Sequence, residues 1–247
     1  MDKLAYTSVN AMKSLMNRQT AIANNMANAN TVGFKADMVS AHAKYLTGPG
    51  HDSRAMAVER DMQANMNAGV ITQTGRPLDV ALEGDAMIAV QAADGAEAYS
   101  RRGDLKIAAS GAMLTGDGFP VMGANGPITM PPAERVDIGG DGTIFFVPKG
   151  GDPNLPQELD QIKLVSMTGS AISKGADTLF RAADDGVLPV DENARLVSGA
   201  LEESNVNMTT ALVDMIETSR AWETQAKLLR TAQELDESSA AVMNIPQ

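Results

Sequence analysis

The chain has 247 residues, and its 31 acidic side chains outnumber its 20 Lys and Arg side chains, which gives a net charge of −11. This charge argues against nucleic acid or an anionic membrane surface as a partner, because both are bound through cationic side chains. The lack of cysteine and the presence of only two histidines, His42 and His51, exclude thiol catalysis and make a metal site improbable, so we expect no catalytic residue, cofactor or metal.

The first predicted element is a helix from about Asp2, a good N-cap residue, to about Asn28. Apolar side chains recur along it at spacings of three and four residues and form two neighbouring seams. The members of these seams are Val9, Met12, Met16, Ala23 and Met26 in one, and Leu4, Ala11, Leu15 and Ile22 in the other. The same segment has no compact apolar region typical of a cleaved secretory signal, and no stretch of the chain has the roughly 18 apolar residues of a membrane span.

Four asparagines cluster near the predicted end of this helix, at Asn24, Asn25, Asn28 and Asn30. Asparagine side chains compete with helical hydrogen bonds, so we expect these residues to end the helix by bonding to neighbouring backbone. Gly33 is then expected to supply a left-handed turn.

The middle of the chain holds 19 of the 22 glycines and nine of the 11 prolines, all between residues 61 and 200. Glycine and proline mark turns, so this region is predicted to be a turn-rich β domain. Residues 78–82 and 87–91 flank the turn at 83–85 and are predicted to form a hairpin. The short strands and glycine-containing turns predict a barrel or a folded sheet rather than a parallel α/β core.

The last predicted element is a helix from about Met208 to about Val242, with Asn207 as its N-cap. Large apolar side chains recur every seven residues in its first half and shift to another face in the second half, which indicates that the covering surface changes along the helix. The first set is Met208, Met215, Trp222 and Leu229, flanked by Leu212 and Ala226; the second is Leu228, Ala232, Leu235 and Val242.

The two ends carry opposite charge. Residues 1–36 contain four basic side chains against one acid, which gives +3, and residues 201–247 contain eight acids against three bases, which gives −5. Complementary charges beside apolar seams favour pairing of the two helices with each other or with other copies of the chain. The alternative is two ordinary amphipathic helices packed on the central domain.

Two further functional alternatives start from the β domain. Any two of the many acids could converge as the carboxylate pair of a hydrolase, although nothing in the sequence singles out such a pair. A carbohydrate-binding module is disfavoured, because only nine aromatic residues are available for stacking on sugars.

Four segments in order carry a family resemblance. Residues 23–35 (ANNMANANTVGFK) resemble the ANNLAN-x-x-T-x-GFK signature of flagellar rod and hook proteins, and residues 201–207 (LEESNVN) resemble their LE-x-SNV-N motif. Between them, residues 74–82 (TGRPLDVAL) are similar to TGR-x-LDVAI, and residues 99–105 (YSRRGDL) to YTR-x-GDF. The chain departs from the family pattern at Ser100 and at Ala86-Met87, where the family usually has threonine and a glycine-aromatic pair.

The resemblance implies a structural axial subunit of the bacterial flagellar basal body that self-assembles through its terminal helices and transmits torque. The opening residues and the length most resemble the proximal-rod members; a distal-rod or hook-type protein is the alternative. The family likeness further implies export through the flagellar type III apparatus without a cleaved signal peptide, a place in the periplasm-spanning rod, and other rod proteins and copies of itself as partners.

We therefore expect an α+β fold, with long N- and C-terminal helices paired as a coiled-coil domain and a central all-β, barrel-like or folded-sheet domain. The expected domains are a terminal helical domain of residues 1–34 and 201–247 forming an inner tube, an extended connector of residues 35–72, and a β-rich outer domain of residues 73–200. The residues expected to make subunit contacts are Leu4, Val9, Met12, Leu15, Met16, Ile22, Asn24, Asn25, Asn28, Gly33, Phe34, Asn205, Val206, Asn207, Leu212, Met215, Trp222, Leu229 and Leu235.

Overall fold

The computed structural model describes residues 2–39, 41–45, 55–59, 63–183 and 186–243. The chain divides into two compact units, each built from segments that are distant in the sequence. The first, here called the helical unit, comprises Met1–Ala27, Asp37–Gln63 and Asn207–Gln247, and the second, the β unit, comprises Asn28–Ala36 and Ala64–Val206.

Two long helices form most of the helical unit, α1 (Asp2–Ala27) and α2 (Met208–Met243). Asn207 caps α2, because its side-chain oxygen accepts a hydrogen bond from the Thr210 amide at 3.0 Å and satisfies a donor that has no partner within the first turn. The predicted helix bounds agree with the structure to within one residue at each end. Neither helix, over its described residues, is long and apolar enough to cross a membrane.

The prediction of a coiled coil is wrong. The two helices contact each other and are joined by an ion pair between Arg18 and Asp214 at 3.7 Å, but small side chains provide much of what is buried along them. The buried residues are Ser8, Ala21, Ile22, Ala211, Thr218 and Ala232. Coiled-coil pairing needs the large apolar side chains to interlock. Seven of those predicted for the seams are instead exposed, namely Val9, Met16, Met208, Leu212, Trp222, Leu228 and Leu235.

The described residues of the helical unit also include three short strands, β1 (Asp37–Met38), β2 (Ala41–Tyr45) and β3 (Ala55–Glu59). β2 and β3 pair antiparallel, with Ala43 opposite Ala57. His42 lies in β2, whereas His51 is outside the described residues, as is the side chain of Leu4.

The described part of the β unit contains many short strands. The first, β4, begins at Gln63, the last residue of the preceding helical-unit segment, and ends in the β unit. The strands are β4 (Gln63–Ala64), β5 (Ile71–Gln73), β6 (Val80–Leu82), β7 (Ala86–Gln91), β8 (Glu97–Ser100), β9 (Lys106–Ile107), β10 (Met113–Leu114), β11 (Met122–Gly123), β12 (Gly126–Pro127), β13 (Ala133–Ile138), β14 (Thr143–Pro148), β15 (Gln157–Gln161), β16 (Leu164–Ser166), β17 (Ile172–Lys174), β18 (Phe180–Ala182), β19 (Leu196–Ser198) and β20 (Ala200–Glu202).

These strands form several open sheets, so the prediction of a barrel is also wrong. The largest sheet is antiparallel with the order β16-β7-β8-β18-β17, and a second has the order β13-β14-β15. A barrel closes only when its first and last strands pair. Within the described residues, β16 and β17 are the two unpaired edges of the five-stranded sheet. Apart from this sheet and the three-stranded one, each described sheet has two strands.

The hairpin predicted around residues 83–85 does not form either. β6 pairs with β19, where Leu82 lies opposite Leu196, whereas β7 pairs with β8 and β16. The turn at 83–85 therefore passes the chain from one sheet to another. Each strand finds a partner that is distant in the sequence, which a local turn signal cannot specify.

The core of the β unit has two parts, one on each face of β7. Ile88 and Val90 face a large apolar cluster whose buried members lie between Val80 and Leu196, while Met87 and Ala89 face a smaller cluster that includes Tyr99. Side chains alternate between the faces of a strand, so β7 is buried on both faces because each is covered. Met87, a departure from the family pattern, has no exposed surface and fills the smaller cluster.

Candidate functional site

The N-terminal and C-terminal signature segments meet inside the β unit. The Gly33 amide donates a hydrogen bond to the Glu202 main-chain oxygen at 2.7 Å, and the Asn205 amide donates to the Phe34 oxygen at 3.3 Å. The Asn205 side chain accepts from the Ala36 amide at 2.8 Å and donates to the main-chain oxygens of Asn65 and Asn67, also at 2.8 Å. We call this meeting point, formed by residues 33–36 and 202–205 with the groups that bond to them, the signature junction.

A buried carboxylate lies at the centre of the signature junction. The Glu202 carboxylate accepts hydrogen bonds from Lys35 Nζ at 2.7 Å, from Arg101 Nε at 2.8 Å and from the Gly69 amide at 2.8 Å. All three charged side chains are at most 2% exposed. Charged groups this deeply buried are stable only when they are paired and hydrogen-bonded. Here the Glu202 carboxylate pairs with both Lys35 and Arg101.

Both cations also donate hydrogen bonds to main-chain oxygens. Lys35 Nζ donates to Asn67 at 2.8 Å, and the Arg101 guanidinium donates to Leu82, Gly84 and Ala86 at 2.6–3.0 Å. The planar guanidinium can make several such bonds at once. Arg101 therefore ties the turn between β6 and β7 to Glu202 on β20.

These contacts determine the protonation of the junction. Burial alone would raise the pKa of Glu202, but the hydrogen bonds from Lys35 and the Gly69 amide, together with the charge of Arg101, hold the pKa below its ordinary value of 4.5. Burial lowers the pKa of Lys35, and the Arg101 charge adds to this effect, while Glu202 opposes it. The Glu202 carboxyl is therefore ionised at neutral pH.

We expect the stability contributed by Glu202 to be lost in acid. Because its pKa is lower in the folded chain than in the unfolded chain, the folded state binds fewer protons; the contribution is complete above about pH 4.5 and disappears as the pH falls towards the lowered value. Urea unfolding between about pH 7 and about pH 3 measures this loss.

The matched control for acid sensitivity is Glu202→Gln, because the pKa values of Asp141 and Asp177 are also lowered and contribute an acid dependence of their own. The wild-type chain should lose more stability than the Gln variant over the same pH range. Equal losses in the two proteins would contradict the assignment to Glu202.

Two further residues of the N-terminal signature fit closely into the β unit. Gly33 has φ of 66°, the predicted left-handed turn, and a Cβ at this position would lie 2.4 Å from the Arg101 main-chain oxygen. Phe34 is buried, and Lys174 Nζ lies 3.7 Å from the centre of its ring while donating to the Lys35 oxygen at 2.7 Å. A cation over an aromatic face is attractive, so Lys174 holds this segment from a second side.

The two middle signature segments also have defined structural contacts. Asp79 accepts hydrogen bonds from Thr74 at 2.7 Å and Arg76 at 3.2 Å, and its main-chain oxygen accepts from the Gly199 amide at 2.7 Å. A Cβ on Gly103 would lie 1.7 Å from the Val80 main-chain oxygen, which requires glycine where this segment crosses β6. All four signature segments therefore contribute to the packing of the β unit.

The asparagines at the end of α1 bond to backbone and neighbouring side chains. Asn25 forms a reciprocal pair with the main chain of Asp37, donating at 2.9 Å and accepting at 2.7 Å, and Asn24 donates to the Asp37 carboxylate. The Asn28 side chain accepts from the Thr31 hydroxyl at 3.1 Å. The helix ends at Ala27 among these asparagines, as expected, but the Asn25 contacts with main chain reach Asp37 rather than neighbouring backbone.

The structure divides the residues predicted for assembly into two groups. Gly33, Phe34 and Asn205 lie in the signature junction, with Val206 beside it and half-buried. The rest lie on the two helices or next to their ends. Ile22 is buried, and Met12, Leu15, Met215 and Leu229 are half-buried. The others with described side chains are exposed or lie at a helix end. Their role in subunit contact remains a prediction.

Sequence reasoning missed Lys35, Arg101 and Glu202 as site residues. All three occur inside the signature segments, but a charged residue in a polar stretch is typical of a solvated surface. The hydrogen bond from Lys35 to Glu202 spans 167 positions of sequence, so no local pattern reveals it. Among the described residues, no group of three or more His, Asp or Glu side chains is arranged to hold a metal ion.

Comparison with known proteins gives a consistent family match along the chain. Family models described as "Flagella basal body rod protein", "Flagellar hook protein FlgE/F/G D1 domain" and "Flagellar basal body rod FlgEFG protein C-terminal" match residues 6–35, 81–146 and 197–242. The first and last of these matches contain the Lys35 and Glu202 sides of the signature junction.

Similar whole proteins are named as rod proteins. The chain is 38% identical over 240 residues to the flagellar basal-body rod protein FlgF of Salmonella typhimurium, covering 95% of each chain, and 38% identical to FlgF of Escherichia coli over 93% of each. It is 31% identical to the flagellar basal-body rod protein FlgG of Bacillus subtilis, over 93% of this chain and 95% of the relative.

Proposed function

The chain belongs to the family of flagellar basal-body rod proteins, and we propose from this premise that it is a structural subunit of the rod, of the proximal FlgF type. The identity to two FlgF proteins exceeds that to the FlgG protein, which supports the proximal over the distal assignment. Its relatives are named as rod proteins rather than enzymes, which supports a structural role without catalysis.

The observation that carries the assembly proposal is the exposure of large apolar side chains on both helices. Tyr6, Val9 and Met16 on α1 are 53–65% exposed, and Leu212 and Ile216 on α2 are 46% and 53% exposed. Their spacings of three, four and seven residues place each set along one side of its helix. Apolar stripes of this kind are typical of surfaces that a partner covers.

The charges beside the two stripes favour contact between different copies of the chain. Lys13 is exposed between Val9 and Met16 on α1, and Glu217 is exposed next to Ile216 on α2. If the α1 stripe of one copy covers the α2 stripe of the next, the two surfaces differ, and such head-to-tail contacts form an open helical polymer when the rotation between copies does not close a ring. A rod built in this way would assemble through its terminal helices.

The signature junction supports a subunit that transmits torque. It fixes the N-terminal signature segment to the C-terminal one through buried ion pairs and hydrogen bonds, whose removal is costly in the absence of water. We further propose that the chain is exported through the flagellar type III apparatus, and that its partners are copies of itself and other rod proteins.

Locating the chain in purified basal bodies tests this function. An epitope inserted between Gly150 and Gly151, in an exposed loop, leaves both helices and the signature junction unchanged. We expect the epitope to co-purify with the rod and to be labelled near its proximal end. Label near the hook would support the distal-rod alternative, and absence of the chain from basal bodies would contradict a rod function.

A further inference from the structure

The N-terminal signature segment is held mainly by residues that come much later in the chain. The long-range hydrogen bonds described for residues 33–36 lead to Asn65, Asn67, Lys174, Glu202 and Asn205. Four of them, made by the Gly33 amide, the Phe34 oxygen, the Lys35 ammonium and the Ala36 amide, connect to Glu202 or Asn205. The position of this early segment therefore depends on the C-terminal signature.

The apolar core of the β unit does not share this dependence. The buried residues of its larger cluster lie between Val80 and Leu196, and those of the smaller cluster between Met87 and Leu188. Both clusters are thus complete in sequence before Gly199. The residues that follow, Ala200–Glu202, add β20 as a partner of β5 and bring the Glu202 carboxylate to the two cations.

We propose that the signature junction closes last in the folding of the β unit, so that the N-terminal signature segment is fixed only once residues 202–205 join the folded core. Before Glu202 arrives, Lys35 and Arg101 have no anion and cannot be buried without a large desolvation penalty. Closing a contact across 167 positions also costs loop entropy, which an already folded core reduces.

A chain in which residues 202–205 are still missing or unfolded would therefore have a folded core and an unfixed N-terminal segment. This order delays the final form of that segment until the C-terminal signature is in place. The inference concerns the isolated chain and does not depend on the rod function, so its test and the basal-body test fail independently.

Pulse-labelling hydrogen exchange during refolding of the full-length chain from urea tests the order of events. The core reporters are the amides of Met113, Val121 and Ile128. They donate hydrogen bonds to the main-chain oxygens of Ile128, Met113 and Val121, respectively. The junction reporters are the amides of Gly33, Ala36, Gly69 and Asn205. We expect the core amides to become protected first, and the four junction amides later, together and at one rate. Protection of Gly33 and Ala36 with or before the core would overturn the proposal.

A second measurement uses the folded protein. Asn205→Ala removes three side-chain hydrogen bonds of the junction without leaving a buried charge, whereas Ser204→Ala removes only a local bond to the Val206 amide. Native-state exchange at Gly33 and Ala36 should accelerate at least about tenfold in Asn205→Ala and stay unchanged in Ser204→Ala, with the core amides unaffected in both. Unchanged exchange at Gly33 and Ala36 in Asn205→Ala, or equal acceleration throughout the core, would contradict the proposal.

Discussion

Replacing Glu202 by alanine is expected to lower the free energy of unfolding of the chain by about 3–5 kcal/mol. The substitution leaves the Lys35 and Arg101 side chains, which are 1% and 2% exposed, without their shared anion. It also leaves the Gly69 amide without its acceptor. Since the native state of a domain is typically only about 5–15 kcal/mol more stable than the unfolded state, a loss of this size is a large fraction of the total.

The neighbouring residue provides the matched control for this change. Glu203 is exposed, and its carboxylate accepts a hydrogen bond from the Thr72 hydroxyl at 2.8 Å. Glu203→Ala should change the free energy of unfolding by about 0.5 kcal/mol or less, as is usual for a surface side chain. Urea unfolding of the two variants measures the difference, and similar losses in both would show that the buried cluster is not the main attachment of the C-terminal signature.

The second large effect concerns function rather than stability. We expect Leu212→Asp combined with Ile216→Asp to abolish swimming while lowering the stability of the isolated chain by no more than about 1 kcal/mol. Both side chains are about half exposed in the single chain. If a neighbouring copy covers them, the change removes about 1.5–3 kcal/mol of burial at each position and adds two carboxylates to an apolar contact.

The control for this pair keeps the face apolar. Leu212→Met combined with Ile216→Met conserves size and hydrophobicity, and methionine adapts well to a neighbouring surface, so swimming should be retained. Soft-agar motility of strains that carry each variant as their only copy makes the comparison. Normal swimming of the Asp variant would show that this face of α2 is not covered in the rod.

The helices were the most predictable part of the fold. Long stretches with apolar spacings of three and four, an Asn at the start of α2 and the asparagine cluster at the end of α1 specify their bounds through local interactions. Their packing was less predictable, because the large apolar residues that dominate the sequence pattern are partly exposed. The small residues buried on them, such as Ala211 and Thr218, produce no strong signal.

In the β unit, too, the sequence predicted the kind of element better than how the elements pack. Glycine-containing turns predicted that it is rich in short strands, but the pairing of β6 with β19 and of β7 with β16 joins residues far apart in the sequence. The signature junction follows the same principle. Its motifs were recognisable from sequence, yet only the fold shows that Lys35, Arg101 and Glu202 meet in one buried cluster.

We propose that the uncovered helix faces join this subunit into the rod. Basal bodies purified from a strain that carries Leu212→Asp with Ile216→Asp provide the most direct test. The amount of the variant chain in the purified particles, relative to the Met control, is the quantity to measure by quantitative mass spectrometry. We expect the Met control to be incorporated at the wild-type level and the Asp variant to be missing from the rod. Incorporation of the Asp variant at the wild-type level would contradict the proposal.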